Sequence, residues 1–193
     1  LVDTITEFQP GFVGVACKTP MFTATQKLAK IVKAHFPNVK TIIGGVHPTV
    51  LPDDTMKDRN FDYLVRGEGE ETLHELVQAV STDGPLNGIA GLTYRMGEHI
   101  VHNPDRPLPV ELDDLPFPDM DTIPLDRYHQ VPDAVFVEPI RVIITSRGCP
   151  YKCIFCSARQ MSGYRYRARS AKNVVDEWEI LVRKYGGRQI IVL

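Results

Sequence analysis

Phe12-Val-Gly-Val-Ala-Cys17, Thr41-Ile-Ile-Gly-Gly45 and Phe61-Asp-Tyr-Leu-Val-Arg-Gly67 are the stretches that decide the fold. Each is short, nearly continuous in apolar residues and closed by a turn. Strands apolar on both faces belong to a parallel sheet covered by helices on each side. The segments between them carry the helical period. Ala24, Leu28, Ile31, Val32 and His35 share one face of a helix expected over residues 23–36, and Leu73, Leu76, Val77 and Val80 share one face of a helix over 70–80. This alternation predicts an α/β fold, a doubly wound, Rossmann-like sheet. Residues 1–10 read as the tail of a helix. Three strands are few for such a sheet and the chain opens on Leu1, so the sequence reads as an internal piece of a longer protein whose first strands lie outside it.

Outward from that core the texture changes twice. Residues 89–95 and 99–102 alternate around Met96-Gly97-Glu98 and predict a hairpin over 89–102, which closes a first domain over 1–103. Eight of the fifteen prolines then fall within residues 104–139, an extended, ordered linker. From residue 140 periodicity returns. Residues 141–145 read as a strand. Val174, Val175, Trp178, Leu181, Val182 and Tyr185 mark an amphipathic helix with Ser170 as N-cap and Gly186-Gly187 as its stop, and residues 189–193 are another strand. Residues 140–193 thus begin a second β-α-β domain that the chain does not finish.

Composition excludes several classes. The 193 residues are 43% hydrophobic and 24% charged, ordinary for a globular chain, which rules out disorder and a collagen-like repeat. No apolar run reaches the length of a membrane span, and the first ten residues lack the pattern of a secretory signal. A cytoplasmic chain with reduced thiols is the expectation. The net charge of -2 hides a split: Arg141, Arg147, Lys152, Arg159, Arg165, Arg167, Arg169 and Lys172 span a segment without one acidic residue. No groove-reading helix pattern accompanies these cations, so a nucleic-acid partner is not expected.

Three of the four cysteines lie in that segment, as Cys149-Pro-Tyr-Lys-Cys153-Ile-Phe-Cys156. Spacings of three and two residues let one loop carry three thiolates to one iron–sulfur centre. Three ligands leave one position of a four-iron cube open, as a catalytic metal needs, whereas a structural zinc site is closed by four. A three-ligand zinc loop completed by a histidine is the alternative on spacing alone. The surrounding cations suit a site that holds anions.

Ser146-Arg-Gly-Cys-Pro-Tyr-Lys-Cys-Ile-Phe-Cys156, directly after a strand, closely resembles the opening of the radical S-adenosylmethionine enzymes. The resemblance implies that Cys149, Cys153 and Cys156 bind a [4Fe-4S] cluster whose open iron takes S-adenosylmethionine, that one electron from an external donor cleaves it to a 5′-deoxyadenosyl radical, and that Phe155 lies on the adenine side. Tyr166-Arg-Ala-Arg-Ser170 resembles the subgroup carrying a cobalamin-binding domain. So do Gly44-Gly-Val-His-Pro-Thr49 and Val65-Arg-Gly-Glu-Gly-Glu-Glu71, at successive strand ends, where open α/β sheets bind cofactors and glycine admits close backbone approach. By this resemblance the cobalamin tail runs past Thr19, Gly44 and Gly45, with Gly67, Glu68 and Gly69 nearby, and residues 140–193 start the partial barrel of a radical S-adenosylmethionine domain.

The linker Asp114-Leu-Pro-Phe-Pro118 with Ile123-Pro-Leu-Asp-Arg-Tyr128 is closest in texture to the group containing the anaerobic magnesium-protoporphyrin IX monomethyl ester cyclases and related methyltransferases. The resemblance implies a small-molecule substrate, and the expected reaction is oxidative ring closure on a tetrapyrrole as in the cyclases; methyl transfer to an acceptor, as in the methyltransferases, is the alternative. A non-catalytic cobalamin- or cluster-binding module and a zinc-stabilised interaction domain are the readings of another class. By itself the piece is expected to lack turnover, to hold no catalytic residue beyond the cluster ligands, and to self-associate through an open strand edge. No Asp-x-His-x-x-Gly motif, the source of a lower cobalt ligand in many cobalamin domains, stands in the chain. His47 reads either as a metal-ligating substitute or as a loop histidine shaped by Pro48. Cys17 reads as a small buried hydrophobe.

Overall fold

The computed structural model describes residues 1–127 and 138–193. The linker positions expected between them, Tyr128 and Pro132 included, lie outside the described residues. Contacts divide the chain into two units, Leu1–Leu108 with Pro150–Tyr164, and Pro109–Cys149 with Arg165–Leu193.

The first unit opens with α1 (Val2–Phe8), then β1 (Phe12–Ala16), a 3₁₀ turn (Thr19–Met21), α2 (Phe22–His35) and β2 (Lys40–Gly44). Two short helices follow, α3 (Val46–Val50) and α4 (Pro52–Met56), then β3 (Tyr63–Val65) and α5 (Glu70–Ser81). β4 (Leu92–Met96) and β5 (His99–His102) form the expected hairpin. Its first strand starts three residues later than alternation predicts, because Ile89 closes turns with Leu86 and Leu92. β1, β2 and β3 run parallel, with Ala16 opposite Gly44 and Ile43 opposite Leu64. The hairpin extends the sheet antiparallel, in the order β1-β2-β3-β4-β5.

Successive strand residues face opposite sides of a sheet, so each parallel strand feeds two cores. Ile43 and Leu64 enter one with Cys17, Ala29, Met56 and Phe61. Ile42 and Val65 enter the other with Leu76, Ile89, Leu92 and Tyr94. The helices keep their extents but rotate their buried faces. α2 buries Thr25, Ala29 and Val32, leaving Ala24, Ile31 and His35 exposed. α5 buries Thr72 and Leu76, leaving Leu73 exposed. Both helices turn a threonine inward because its hydroxyl finds a backbone acceptor there, Met21 C=O at 3.1 Å for Thr25 and Ala90 C=O at 2.8 Å for Thr72. β1 is only partly covered, since it is an edge of the sheet among the described residues.

Buried polar side chains tie this unit together. Arg66 donates to Leu92 C=O at 3.2 Å, to Asp105 at 3.1 Å, and also to Thr93 and Asn103 C=O. Asn103 donates in turn to Leu86 C=O at 2.6 Å and Ile89 C=O at 2.8 Å. Arg66 and Asn103 are thus hydrogen-bonded where they are buried, as buried polar groups generally are. α6 (Ala158–Ser162) completes the unit.

The second unit pairs β6 (Ile140–Ile143) in parallel with β9 (Gln189–Val192), and β7 (Ser146–Arg147) antiparallel with β8 (Arg167–Ala168). α7 (Ala171–Arg183) joins β8 to β9. Ser170 caps it as expected, accepting from Asn173 N–H at 3.1 Å. At its far end Gly186 has a φ of 63°, and Gly187 N–H returns to Leu181 C=O at 2.9 Å. Leu181 is buried, whereas Val175, Trp178 and Val182 stay exposed.

The linker is ordered where it is described. Pro109 C=O accepts from Arg167 at 2.8 Å, Phe117 lies under the Arg169 guanidinium at 5.4 Å, and Asp121 meets Lys184 at 2.5 Å. Asp113 accepts from Ser170 N–H at 2.9 Å, and hydrogen bonding to Ser170 holds its carboxyl below the usual carboxylate range. Glu177 is 2% exposed and pairs with Arg169, which also donates to Ile144 C=O at 2.9 Å and Asn173 Oδ1 at 2.6 Å. Glu177→Ala removes the counter-charge from a guanidinium already out of water. It should cost about 3 kcal/mol, read as a lower urea midpoint; an unchanged midpoint would show that the pair contributes nothing to this unit.

Candidate functional site

Parallel strands end on one edge, so the loops after β1, β2 and β3 meet there. Cys17 N–H donates to Gly44 C=O at 2.8 Å, and His47 N–H returns to Cys17 C=O at 3.1 Å. This close crossing explains the diglycine. Gly45 has a φ of 95°, and a Cβ there would lie 3.0 Å from both the N and the O of Cys17. Gly67, with a φ of 69°, turns the loop after β3, and its N–H donates to Thr49 Oγ1 at 3.0 Å. The Thr49 hydroxyl itself donates to Gly45 C=O at 2.8 Å. One threonine thereby links the second and third loops. Sequence reading had not singled out Thr49; its place four residues past a strand-end glycine, where a hydroxyl can bond back to the backbone, was the available signal.

Thr19 stands exposed on the 3₁₀ turn, and Gly44, Gly45, Gly67, Glu68 and Gly69 are half-buried along the same edge. Glu68 is engaged with a partner of its own. His47 is not a loop residue: it lies in α3, is 4% exposed, and stacks on Phe22 with ring centroids 4.1 Å apart. Its Nδ1 is 3.2 Å from Thr19 Oγ1, while its buried Nε2 has no hydrogen-bond partner among the described residues. Such an orphaned group costs about 1–3 kcal/mol. Cys17 is buried as expected and receives the Thr25 hydroxyl at 3.6 Å. His74 is exposed on α5.

Gly148 has a φ of 87° and turns the chain from β7 into the cysteine motif. Cys149 is half-buried, and Cys153 and Cys156 are exposed, as are Tyr151, Ile154 and Phe155. Cys156 N–H bonds back to Cys153 C=O at 3.2 Å, the turn that a two-residue spacing allows. Among the described residues no three metal-ligating side chains converge on one point. The loop supplies the right donors, three thiols free of disulfides, without gathering them. Ion and loop commonly reach their final geometry together in metal sites.

The segment after the motif packs inside the first unit. α6 lies against α3, and Met161 C=O sits 3.7 Å from where a Cβ on Gly67 would lie. The chain leaving Cys156 therefore borders the same edge as the two glycine loops. Many of the cations expected to attract an anion have structural work instead. Arg141 donates to Tyr185 C=O at 2.7 Å, Arg167 and Arg169 hold the linker, and Lys172 pairs with Asp176. Lys152 and Arg159 remain beside the motif, both over the Tyr164 ring.

Residues 1–77, which contain all three loops, match the B12 binding domain family. Over 98% of its length the chain is 40% identical to an uncharacterized methyltransferase of Pyrococcus horikoshii, and it spans 40% of that protein. Over 95% of its length it is 32% identical to the anaerobic magnesium-protoporphyrin IX monomethyl ester cyclase of Rubrivivax gelatinosus, spanning 33% of it. Its fold superposes on the cobalamin-dependent S-adenosylmethionine radical enzyme OxsB, solved with aqua-cobalamin and S-adenosylmethionine bound, with a TM-score of 0.77 at 20% identity, over 99% of this chain and 26% of that one. The resemblance to cobalamin-binding radical S-adenosylmethionine enzymes thus holds over nearly the whole chain.

Proposed function

We propose that this chain is the cofactor-holding part of a cobalamin-dependent radical S-adenosylmethionine enzyme, and that the reaction is methyl transfer to a small molecule. The observation that carries the reading is the adjacency inside the first unit: the strand-end loops at Gly45 and Gly67 border α6, which directly follows Cys156. The residues fit the two groups. Gly44 leaves the strand end without a side chain, Gly45 stands where a Cβ would press on the Cys17 main chain, Thr19 offers an exposed hydroxyl, and Thr49 holds the Gly67 turn in place. Cys149, Cys153 and Cys156 are thiols on one loop, two of them open to solvent, with Phe155 beside them for the adenine of S-adenosylmethionine. When bound, the cluster supplies the electron that cleaves S-adenosylmethionine and the cobalamin a carrier for a methyl group. The chain's own part is to bind both, to orient them by rigid strand ends, and to keep the glycine edge clear of side chains.

The 40% identity to a methyltransferase supports methyl transfer. Oxidative ring closure on a tetrapyrrole is the second reading, favoured by the 32% identity to a cyclase. An external reductant is needed in either case. Among the described residues no helix is long and apolar enough to cross a membrane. Methyl transfer consumes the methyl group of S-adenosylmethionine, and ring closure does not. The full-length protein that contains this chain, reconstituted anaerobically with iron, sulfide and cobalamin, should therefore release S-adenosylhomocysteine as well as 5′-deoxyadenosine under reducing conditions. 5′-Deoxyadenosine alone would favour ring closure, and neither product would leave a binding module.

A further inference from the structure

His47 has no explanation in packing. Its ring fills space against Phe22, which a phenyl ring would do without burying Nε2 unpartnered. What only an imidazole adds is the contact from Nδ1 to Thr19 Oγ1 at 3.2 Å. The two residues follow different strands, Thr19 on the turn after β1 and His47 in α3 after β2, segments already pinned by His47 N–H to Cys17 C=O. A threonine hydroxyl on an exposed turn otherwise chooses among staggered rotamers, and its proton turns freely. Of the two neutral tautomers, one puts an unsatisfied N–H at the buried Nε2, the other an unsatisfied lone pair. Buried orphan donors are the rarer case. The favoured tautomer therefore carries its proton on Nδ1 and donates to Thr19, which leaves the hydroxyl's own proton free to be given elsewhere.

We propose that His47 is a positioning residue that sets Thr19 as an outward hydrogen-bond donor to an acceptor on the nucleotide tail of cobalamin. This rests on the cobalamin reading above. His47 need not touch the ligand; it fixes the rotamer and the donor sense of the residue that does.

The test is the affinity of the protein for hydroxocobalamin, measured by titration, with thermal midpoints as a control for folding. His47→Phe keeps the stacked ring and should weaken binding about 5- to 15-fold, the worth of one oriented hydrogen bond. His47→Asn, whose amide can donate from a similar position, should recover most of the affinity. Thr19→Val, on an exposed turn, should weaken binding by as much as His47→Phe, and the double variant should be no weaker than Thr19→Val alone. Additive losses would show that His47 acts independently of Thr19 and overturn the proposal. So would unchanged binding in Thr19→Val, since there would be no hydroxyl contact to position. If the unaltered protein binds no hydroxocobalamin, the cobalamin reading fails and this proposal with it. Wild-type binding that survives His47→Phe overturns the positioning role alone.

Discussion

Replacing any one of Cys149, Cys153 or Cys156 by alanine should abolish iron binding, not merely reduce it. A cubane cluster takes about four irons and is anchored here by three thiolates from one loop. Cys17, the remaining thiol, cannot substitute: it is 1% exposed, closed in by Thr25 and the Lys18 carbonyl in the core beneath the sheet. Losing one ligand of three leaves two, too few to hold a cluster whose open iron must also accept S-adenosylmethionine. The same substitutions should leave the thermal midpoint of the first unit little changed, because Cys153 and Cys156 are exposed and Cys149 belongs to the second unit. Cys17→Ala should behave in the opposite way, with iron content unchanged and a midpoint lowered by the small buried volume removed. Iron and acid-labile sulfide measured after anaerobic reconstitution decide the matter. Stoichiometric zinc retained by the wild type with no uptake of iron would sink the cluster assignment and revive the zinc-loop reading.

The cysteine spacing and the diglycine loops were legible because each is a local demand, made on residues close in sequence. The strands at Phe12, Thr41 and Phe61 were legible for the same reason, as was the Ser170 cap. Helix faces were less so. Ile31 and Leu73 are exposed where Thr25 and Thr72 are buried, since a hydroxyl with a backbone acceptor competes well for the inward position. Pairs distant in sequence left no trace. Asp113 with Ser170, Lys33 with Asp62 and Arg66 with Asp105 are joined across 57, 29 and 39 residues, and nothing local marks any of them. Thr49 and His47 fall between these cases. Both sit within four residues of Gly45, yet their partners at Gly67 and Thr19 become neighbours only when three strands lie side by side.

Gly45→Val should remove cobalamin binding and strain the first unit at the same point. At a φ of 95° and a ψ of -167° the backbone is in a region that essentially only glycine occupies, and a β-branched residue there costs on the order of 1–3 kcal/mol in conformation alone. The added Cβ would also press on the Cys17 main chain at 3.0 Å, and main chain paired to Gly44 on one side and His47 on the other has little freedom to yield. The loop after β1 must therefore move, carrying Thr19 with it. Gly44 supplies the comparison that separates strain from occlusion. A Cβ there would meet Val65 C=O at an ordinary 3.6 Å, so Gly44→Ala should fold normally and report only what a methyl group does to a ligand approaching the strand end. Reduced affinity for hydroxocobalamin in Gly44→Ala at an unchanged thermal midpoint, with complete loss in Gly45→Val, is the expected pair of results. A Gly45→Val protein that folds and binds cobalamin as tightly as the wild type would place the cofactor elsewhere than on this edge.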